Sequence, residues 1–364
     1  MPTIVKAAVA FAANEPLQIR EVTLADPGPG EVQVRLLATG LCHSDLSALE
    51  GKIQQTFPVI LGHEGVGDVV AVGDGVTEFC VGDRVIPYLV PDCGECAFCQ
   101  SGRSNLCVQL MLRRQSGTSP FTLDGQPVAA YCGLATFAEM TVVPVDSLTK
   151  ISREARVDHA CCIACGVTTG LGAALITAKV TPGSSVVVFG SGGVGLSAIQ
   201  GAKIAGARTI IAVDTNSAKA EVALKLGATH FINPKESGNV VSDIQKLTGS
   251  GADFAFECVG SPALARQALE STNPAWGVCV CVGVMPAGQE LTAAPFSLMT
   301  GRTLTGSLMG GAKRQDVARF VEMYVAGDYG LDDVVSHHLT LEEINHGLEM
   351  MRSGEAVRSV ISFR

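Results

Sequence analysis

The glycine-rich stretch GSGGVG, residues 190–195, constrains the fold more than any other part of the sequence. It follows SSVVVFG, an apolar, β-branched run suited to a buried strand, and it precedes VGLSAIQGAKIAGA, which has a helical pattern. Three glycines at the spacing G-x-G-x-x-G allow a tight turn, close approach of a pyrophosphate and close packing of helix on strand. The stretch therefore predicts a dinucleotide site, with cofactor contacts from Gly190, Gly192, Gly193, Val194 and Gly195.

An acidic residue supports the dinucleotide prediction. Asp214 ends the next apolar run, TIIAVD, and stands 19 residues after Gly195. A carboxylate there can accept hydrogen bonds from both ribose hydroxyls and repels a 2′-phosphate, so NAD is favoured over NADP. Lys219 follows five residues later, and its spacing fits a ribose contact and a solvated helix-face lysine equally well.

The two halves of the chain have different predicted secondary-structure patterns. Residues 1–150 are β-rich, with strands predicted at 31–40, 65–73 and 83–90. After Pro182 apolar runs alternate with helical stretches, which predicts a doubly wound parallel sheet. A length of 364 residues, 47% of them hydrophobic, favours two domains of α/β class. Two helices are predicted after residue 315, and they could pack on either domain.

Composition excludes several kinds of partner. The net charge is −9 and no basic stripe is present, which argues against nucleic acid. Neither a signal peptide nor a stretch long enough to span a membrane is expected. Thirteen cysteines, an odd number, predict reduced thiols and a cytoplasmic location.

A polar loop carries four of the cysteines at the spacing C-x2-C-x2-C-x7-C. Four thiolates in such a loop can close a tetrahedron around a structural Zn²⁺. A four-cysteine iron–sulfur cluster is the alternative metal site, and unrelated core cysteines are the third interpretation. The residues are Cys93, Cys96, Cys99 and Cys107.

Further metal ligands are scattered along the chain. GLCHSD contains Cys42, and GHEGVG contains His63 and Glu64. A zinc ion that does chemistry keeps three protein ligands and one open position, so one more ligand is required. The stretch HACCIACGV, residues 159–167, is the expected donor. By itself it could be a three-cysteine metal site, a Cys162–Cys165 redox pair, or core cysteines around one ligand.

These motifs together resemble the zinc-dependent alcohol dehydrogenases of the medium-chain dehydrogenase/reductase superfamily. The resemblance runs through GLCHSD, FPVILGHEGVG, CGECAFC, ACGVTTGLGAA, VVVFGSGGVGLS, AVDTNSAK, FECVG and GEAVRSVI. PFSLMTGRTLTG and HLTLEEINHGLEMMRSG are most similar to the class III branch. The fold that the resemblance implies is a GroES-like catalytic domain, 1–165 and 309–364 with the zinc lobe 93–107, interrupted by a Rossmann NAD-binding domain, 166–308.

The resemblance also implies roles for single residues. Cys42, His63 and Cys165 match the catalytic zinc ligands, Ser44 matches the hydroxyl that starts proton relay, and Glu64 matches the acid beside the zinc. Two zinc ions per chain and NAD are the implied cofactors. The implied cofactor contacts beyond the glycine turn are His43 and Arg358 at the pyrophosphate, Asp214 and Lys219 at the adenosine ribose, and Val284.

Departures from the class III pattern bear on the substrate. Pro120 replaces an arginine that holds a glutathione carboxylate in that branch, and Arg113 or Arg114 could substitute for it. A short segment with Lys52 replaces a longer acidic one, and Ser47 stands where a histidine often ends the relay. The resemblance suggests that the pocket is lined by Phe57, Leu112, Phe137, Val284 and Leu308, for each of which core packing is the alternative.

The predicted function is reversible, zinc- and NAD-dependent oxidation of primary alcohols to aldehydes. The alternative is thiol-dependent oxidation of formaldehyde as S-hydroxymethylglutathione or a similar adduct. A zinc-free reductase and a non-enzymatic redox sensor are disfavoured, because the ligands and Ser44 are present. A homodimer or homotetramer is expected, with contacts from strand 277–284 and LMTGRTLTG.

Overall fold

A computed structural model describes residues 3–109, 112 and 119–363, and its chain divides into two compact units. The first comprises Met1–Cys165, Lys313–Gly327 and Leu331–Arg364, and the second Gly166–Ala312 and Asp328–Gly330. The long segment of the second unit thus ends four residues beyond the predicted boundary at 308, and Asp328–Gly330, predicted for the first unit, also belong to the second. The turn containing Gly310 belongs to this unit because it packs directly on the helix segment at Thr168. A Cβ on Gly310 would lie only 2.6 Å from the carbonyl oxygen of Thr168.

The strands and helices alternate with short turns along both units. In chain order the strands are β1 (Thr3–Ala10), β2 (Gln18–Leu24), β3 (Glu31–Gly40), β4 (Val59–Ile60), β5 (Glu64–Val72), β6 (Arg84–Pro87), β7 (Phe121–Leu123), β8 (Gln126–Ala130), β9 (Met140–Pro144), β10 (Leu148–Lys150), β11 (Ser185–Phe189), β12 (Thr209–Val213), β13 (His230–Ile232), β14 (Phe254–Glu257), β15 (Val278–Cys281), β16 (Thr303–Gly306), β17 (His337–Leu339) and β18 (Ser359–Ser362). The helices span His43–Leu49, Ala97–Gln100, Val157–Thr177, Gly193–Ile204, Ala220–Leu226, Val240–Thr248, Pro262–Glu270, Pro295–Met299, Arg314–Ala326 and Ile344–Ser353.

The first unit is built from two β-layers. Strands β1, β2, β7, β8 and β4 close into a barrel, and a seven-stranded sheet has the order β10-β6-β5-β3-β18-β17 with β9 also paired to β3. Strand β18 returns from the C-terminus and pairs with β3, with Val360 opposite Gly40. This pairing brings the C-terminal segment next to the loop that carries Cys42. The last two helices, whose placement the sequence left open, belong to this unit.

The second unit contains a six-stranded parallel sheet in the order β13-β12-β11-β14-β15-β16. Numbered within the sheet, this is the order 3-2-1-4-5-6 of dinucleotide-binding folds. Buried Val187, Ile211 and Ala255 form its centre, since strands covered by helices on both faces must be apolar throughout. The doubly wound parallel sheet predicted from the sequence is confirmed.

The helix Val157–Thr177 meets the length and composition of a membrane span, so the expectation that no stretch does so is wrong on that criterion. However, 83% of its apolar window is buried inside the protein, as in the core helix of a soluble protein. Its hydrogen bonding changes to a π-helical pattern at Ile163–Val167 and again at Ala173–Thr177. The first π-helical turn contains Cys165, and such turns are frequent at functional sites.

Candidate active site

Four potential metal ligands that are distant in sequence lie together in the first unit. Cys42, His63, Glu64 and Cys165 are all buried, and their ligand atoms lie within 4.8 Å of one another. Cys42 ends the segment after β3, His63 directly precedes β5, and Cys165 projects from the π-helical turn. HACCIACGV therefore contributes Cys165 to this group. Cys161 and Cys162 are fully buried with their sulfurs 4.0 Å apart, as core residues are.

Asp45, to which the sequence analysis gave no role, organises this group. Its fully buried carboxylate accepts hydrogen bonds from Nδ1 of His63 at 3.0 Å, from N–H of Gly62 at 3.0 Å and from N–H of Cys42 at 3.1 Å. Because a carboxylate accepts, Nδ1 of His63 carries a proton, which makes Nε2 the ring atom that can bind a metal. The signal in the sequence is the three-residue spacing from Cys42 to Asp45, which lets the side chain reach back to the start of the helix His43–Leu49.

The surroundings of His63 fit a metal ion. Nε2 of His63 is buried and has no hydrogen-bond partner within the described residues, and the Cys42 and Cys165 sulfurs lie beside it. The hydrogen bond between the thiols lowers the pKa of Cys42 and raises that of Cys165, so one sulfur readily becomes a thiolate. A neutral imidazole and two sulfurs around a buried point are the donor set of a three-ligand zinc site.

Glu64 and Arg358 form a buried ion pair at the edge of the group. Nη1 of Arg358 lies 3.1 Å from Oε1 of Glu64 and donates to the carbonyl oxygen of Leu41 at 2.8 Å. Burial raises the pKa of Glu64, and the guanidinium of Arg358 opposes that shift. Arg358 is only 5% exposed, so the pyrophosphate contact implied by the resemblance stays a prediction, while its contact with Glu64 is one that the sequence did not indicate.

The proposed relay residues lie on the helix that follows Cys42. Ser44 is half-buried, and Tyr131 donates a hydrogen bond from its hydroxyl to the Ser44 carbonyl oxygen at 3.4 Å. Tyr131 also meets the His63 ring edge-on, with the ring centres 5.6 Å apart. His43 is exposed and Ser47 is half-buried. Ser44 follows Cys42 by two residues, and Tyr131, which the sequence did not indicate, contacts both the Ser44 backbone and the His63 ring.

The cysteine-rich loop forms the second potential metal site. The sulfurs of Cys93, Cys96, Cys99 and Cys107 lie within 4.8 Å of one another. Backbone N–H groups point at them: the N–H of Cys96 lies 3.4 Å from the sulfur of Cys93, and the N–H of Val108 is the main reason that the pKa of Cys96 falls to about 6. Burial raises the pKa of Cys107 to about 12. Four sulfurs at these distances fit a closed structural site.

The glycine turn in the second unit has the geometry that its spacing predicts. Gly190 has φ +94°, a conformation that side chains disfavour. A Cβ on Gly195 would overlap the carbonyl oxygen of Gly190, whereas a Cβ on Gly192 would meet no atom within 4 Å. The turn is thus tightly packed beneath and open at Gly192. Gly193 and Val194 begin the helix Gly193–Ile204, whose free N–H groups can receive a phosphate.

Asp214 is held in place beside that turn. Its carboxylate accepts from the N–H of Ser191 at 2.8 Å and from the N–H of Asn216 at 2.9 Å, and Nζ of Lys219 lies 3.2 Å from Oδ2. Lys219 is therefore ion-paired and is not an isolated solvated lysine. The hydroxyl of Ser191 is buried with no partner among the described residues. The ribose contacts of Asp214 and Lys219 remain predictions.

The predicted pocket positions divide into two groups. Phe137 is completely buried in the core with Leu61 and Phe121, so it follows the core-packing alternative, and Phe57 packs at the edge of the same core. Three are exposed: Leu112 (53%), Val284 (66%) and Leu308 (46%). Pro120 precedes β7, and the substitutes Arg113 and Arg114 lie outside the described residues.

Comparison with known proteins identifies the family. Residues 28–153 match the alcohol dehydrogenase GroES-like domain and residues 193–326 match the zinc-binding dehydrogenase domain. The chain is 46% identical to a Synechocystis S-(hydroxymethyl)glutathione dehydrogenase and 46% identical to a Cereibacter sphaeroides alcohol dehydrogenase class-3, covering 98% of this chain and 99% of each relative. The chain belongs to the zinc-dependent alcohol dehydrogenases, in the class III branch.

Two solved structures share the whole fold. An alcohol dehydrogenase zinc-binding domain protein from Burkholderia ambifaria superposes with a TM-score of 0.95 at 34% identity. A benzyl alcohol dehydrogenase from Acinetobacter calcoaceticus gives 0.93 at 31% identity. Each comparison covers 100% of both chains. The predicted GroES-like and Rossmann fold is confirmed, and the cofactors of this dehydrogenase are zinc and NAD.

Proposed function

We propose that this dehydrogenase oxidises the hydroxymethyl group of a thiol–formaldehyde adduct of the S-hydroxymethylglutathione type, with NAD⁺ as hydride acceptor. The observation that carries the proposal is the identity of 45–46% to relatives named S-(hydroxymethyl)glutathione dehydrogenase, over 98% of the chain. The alternative function from the sequence analysis is thereby favoured over its main prediction. Both readings share the oxidation of a primary hydroxyl to a carbonyl.

Cys42, His63 and Cys165 would hold the catalytic zinc. Zinc bound there supplies Lewis-acid chemistry that lowers the pKa of a substrate hydroxyl. Asp45 keeps the proton of His63 on Nδ1 and so directs Nε2 into the site. The two sulfurs provide the negative charge that balances the ion. The ion pair of Glu64 with Arg358 fixes a carboxylate next to these ligands, where it can tune the charge of the site.

Ser44 would accept the proton that the substrate hydroxyl loses. Ser44 lies two residues after Cys42 in the first turn of a helix, which fixes the position of its backbone. The Tyr131 hydroxyl donates a hydrogen bond to the Ser44 carbonyl oxygen. Ser47, one turn later, replaces the histidine that often ends the relay in this family. A serine hydroxyl does not take up a proton at neutral pH as an imidazole can, so we expect the proton to leave Ser44 toward solvent without Ser47 as a base. The nicotinamide of NAD⁺ supplies the acceptor for the hydride.

Oxidation of a simple primary or aromatic alcohol is the second candidate. Pro120 removes an arginine that class III members use to hold a glutathione carboxylate, and Lys52 is already paired with Glu50 at 2.6 Å. Fewer free cations near the substrate weaken the affinity for an anionic thiol. The structural similarity to a benzyl alcohol dehydrogenase supports this candidate, although at a lower identity of 31%.

A comparison of substrates distinguishes the two candidates. NADH formation is measured with formaldehyde plus glutathione, formaldehyde alone, formaldehyde plus 2-mercaptoethanol, and benzyl alcohol. We expect the glutathione adduct to give the highest kcat/KM, by a factor of about 10 or more over the uncharged thiol, because groups that bind its polar ends would otherwise stay unpaired. A rate that glutathione does not raise, with efficient benzyl alcohol oxidation, would establish the second candidate.

The cofactor preference gives another test. Asp214→Ala removes the carboxylate beside Ser191 and frees Lys219, so repulsion of a 2′-phosphate is replaced by attraction. We expect the ratio of kcat/KM for NAD⁺ to that for NADP⁺ to fall by about 10-fold or more, equivalent to losing one charge-assisted hydrogen bond. An unchanged ratio in initial-rate assays would argue against the ribose contact. Asp243→Asn, which changes a half-buried carboxylate paired with Lys246 in the same unit, is the control.

The edge of the six-stranded sheet is a candidate contact between subunits. Strand β15, predicted as a subunit contact, lies inside the sheet, and the edge strand is β16 in the following segment. Exposed Phe296 and Met299 shortly precede β16 in the sequence, and exposed Trp276 precedes the neighbouring strand β15. We propose that β16 and these side chains meet a second copy, and a monomer in light scattering would contradict this. The cytoplasmic location stays a prediction from the reduced cysteines.

A further inference from the structure

Glu257, in the motif FECVG at residues 256–260, is a fully buried acid at the carboxyl end of β14, and no role has been given to it so far. In the parallel register it stands opposite Phe189, the last residue before the glycine turn. The order of the sheet reverses between β11 and β14, so Glu257 lies at the point where dinucleotide folds bind their ligand. No catalytic or metal role explains a buried carboxylate there.

The carboxylate of Glu257 organises the loop that follows it. Oε1 accepts from the N–H of Val259 at 2.9 Å, of Gly260 at 2.8 Å and of Ser261 at 3.3 Å, and Oε2 accepts from Gly260 at 3.1 Å. Burial raises the pKa of Glu257, and these N–H groups oppose the shift because they bond to the ionised form. Four contacts to one short loop fix its path.

The backbone of Glu257 also holds the loop after the neighbouring strand. Its carbonyl oxygen accepts from the N–H of Val282 and of Gly283, both at 2.9 Å. The two loops touch through their backbones, because a Cβ on Gly260 would overlap the Val284 carbonyl group and a Cβ on Gly283 would overlap the N–H of Gly260. Val284 therefore takes its position from Gly260, which takes its own from Glu257.

The location of these loops indicates which half of the cofactor they serve. The fold binds a dinucleotide with one nucleotide on each side of the switch point. Asp214, after β12, occupies the side predicted for the adenosine. The ends of β14 and β15 lie on the other side, where Val259 and Val284 are 56% and 66% exposed.

We propose that Glu257 is a positioning residue for the nicotinamide half of NAD, acting through the loops 259–261 and 282–284. The inference rests on the proposed NAD-dependent function and extends it to a residue that does not touch the cofactor. It predicts a selective defect. Loosening these loops weakens contacts to the nicotinamide and leaves the adenosine and pyrophosphate contacts intact.

The test compares two ligands that differ only in the nicotinamide. Equilibrium affinities for NADH and for ADP-ribose are measured on zinc-loaded wild type, Glu257→Gln and Asp253→Asn. Asp253 is the matched control, since its carboxylate bonds Ser185 and Trp276 at the opposite end of β14. For Glu257→Gln we expect NADH affinity to fall about 10-fold, because an amide places N–H against N–H, with ADP-ribose affinity within about two-fold of wild type. Asp253→Asn is expected to change neither affinity.

A second variant reaches the same loops by another route. Gly260→Ala pushes on the Val284 carbonyl without changing Glu257, and we expect the same selective loss of NADH affinity. Equal losses for NADH and ADP-ribose in the folded variants, or no loss for either, would overturn the positioning role. If wild type itself failed to bind NADH, the proposed function would be contradicted before the variants were compared.

Discussion

Replacing Cys165 by alanine is expected to lower the zinc content from two ions per chain to one and to abolish turnover. The variant removes one of three ligands from the buried group and leaves the four sulfurs of the loop 93–107 untouched. We expect kcat to fall by a factor on the order of 10³ or more, since the Lewis acid contributes several kcal/mol to the reaction. Zinc content by elemental analysis and NADH formation are measured on the same sample.

A neighbouring cysteine, Cys162, provides the control for this prediction. Cys162→Ala alters an equally buried thiol in the same helix, three residues earlier, that lies outside the ligand group. We expect this variant to retain both zinc ions and turnover, with a small loss of thermal stability from the lost sulfur. If Cys165→Ala kept two zinc ions and near-normal turnover, the ligand assignment would be wrong.

Replacing Asp45 by asparagine is expected to weaken binding of the catalytic zinc without removing a ligand. The carboxylate of Asp45 accepts hydrogen bonds from Cys42, Gly62 and His63. The N–H₂ group of asparagine would face at least one of these donors and could not accept its hydrogen bond. His63 then loses its fixed tautomer, or the start of the helix loses its cap. Outer-shell partners of this kind change metal affinity by about 10- to 100-fold.

Chelator competition measures that affinity directly. Asp68→Asn is the control, because Asp68 lies on β5, the strand that follows His63, and pairs with Arg84 on β6, apart from the ligand group. We expect excess zinc to restore much of the turnover of Asp45→Asn, since all three ligands remain. An affinity equal to that of wild type would show that Asp45 does not orient His63.

Features set by local sequence were predictable. The spacing of Gly190, Gly192 and Gly195 between a β-branched run and a helix fixes a turn within six residues, and the structure shows the tight and open positions as expected. The loop with Cys93 and Cys107 is equally local. For both, the sequence separations are short enough that spacing alone restricts the geometry.

Features that depend on distant packing were not predictable from spacing. Asp45 acquires its role from His63, 18 residues later, and Glu64 meets Arg358 only because β18 pairs with β3. Cys165 was selected among three cysteines by resemblance, and the π-helical turn that presents it has no evident sequence signal. Phe137 could not be assigned to pocket or core, because apolar residues serve both.

Substrate recognition could not be predicted from sequence patterns either, because it depends on residues from several distant loops. Pro120 and Lys52 indicate a weaker anion site, whereas relatives at 45–46% identity are named S-(hydroxymethyl)glutathione dehydrogenase. A missing arginine reports only the loss of one contact, whereas affinity for a flexible anion is a sum over several groups from different loops. Kinetic comparison of the thiol adducts is therefore more informative than any single substitution.

Anomalous diffraction at the zinc absorption edge tests the catalytic centre most directly. We expect two peaks per chain, one enclosed by Cys93, Cys96, Cys99 and Cys107 and one contacted by the sulfurs of Cys42 and Cys165 and by Nε2 of His63. A protein that is active in NADH formation but shows a peak only in the cysteine-rich loop would contradict the proposed zinc-dependent oxidation.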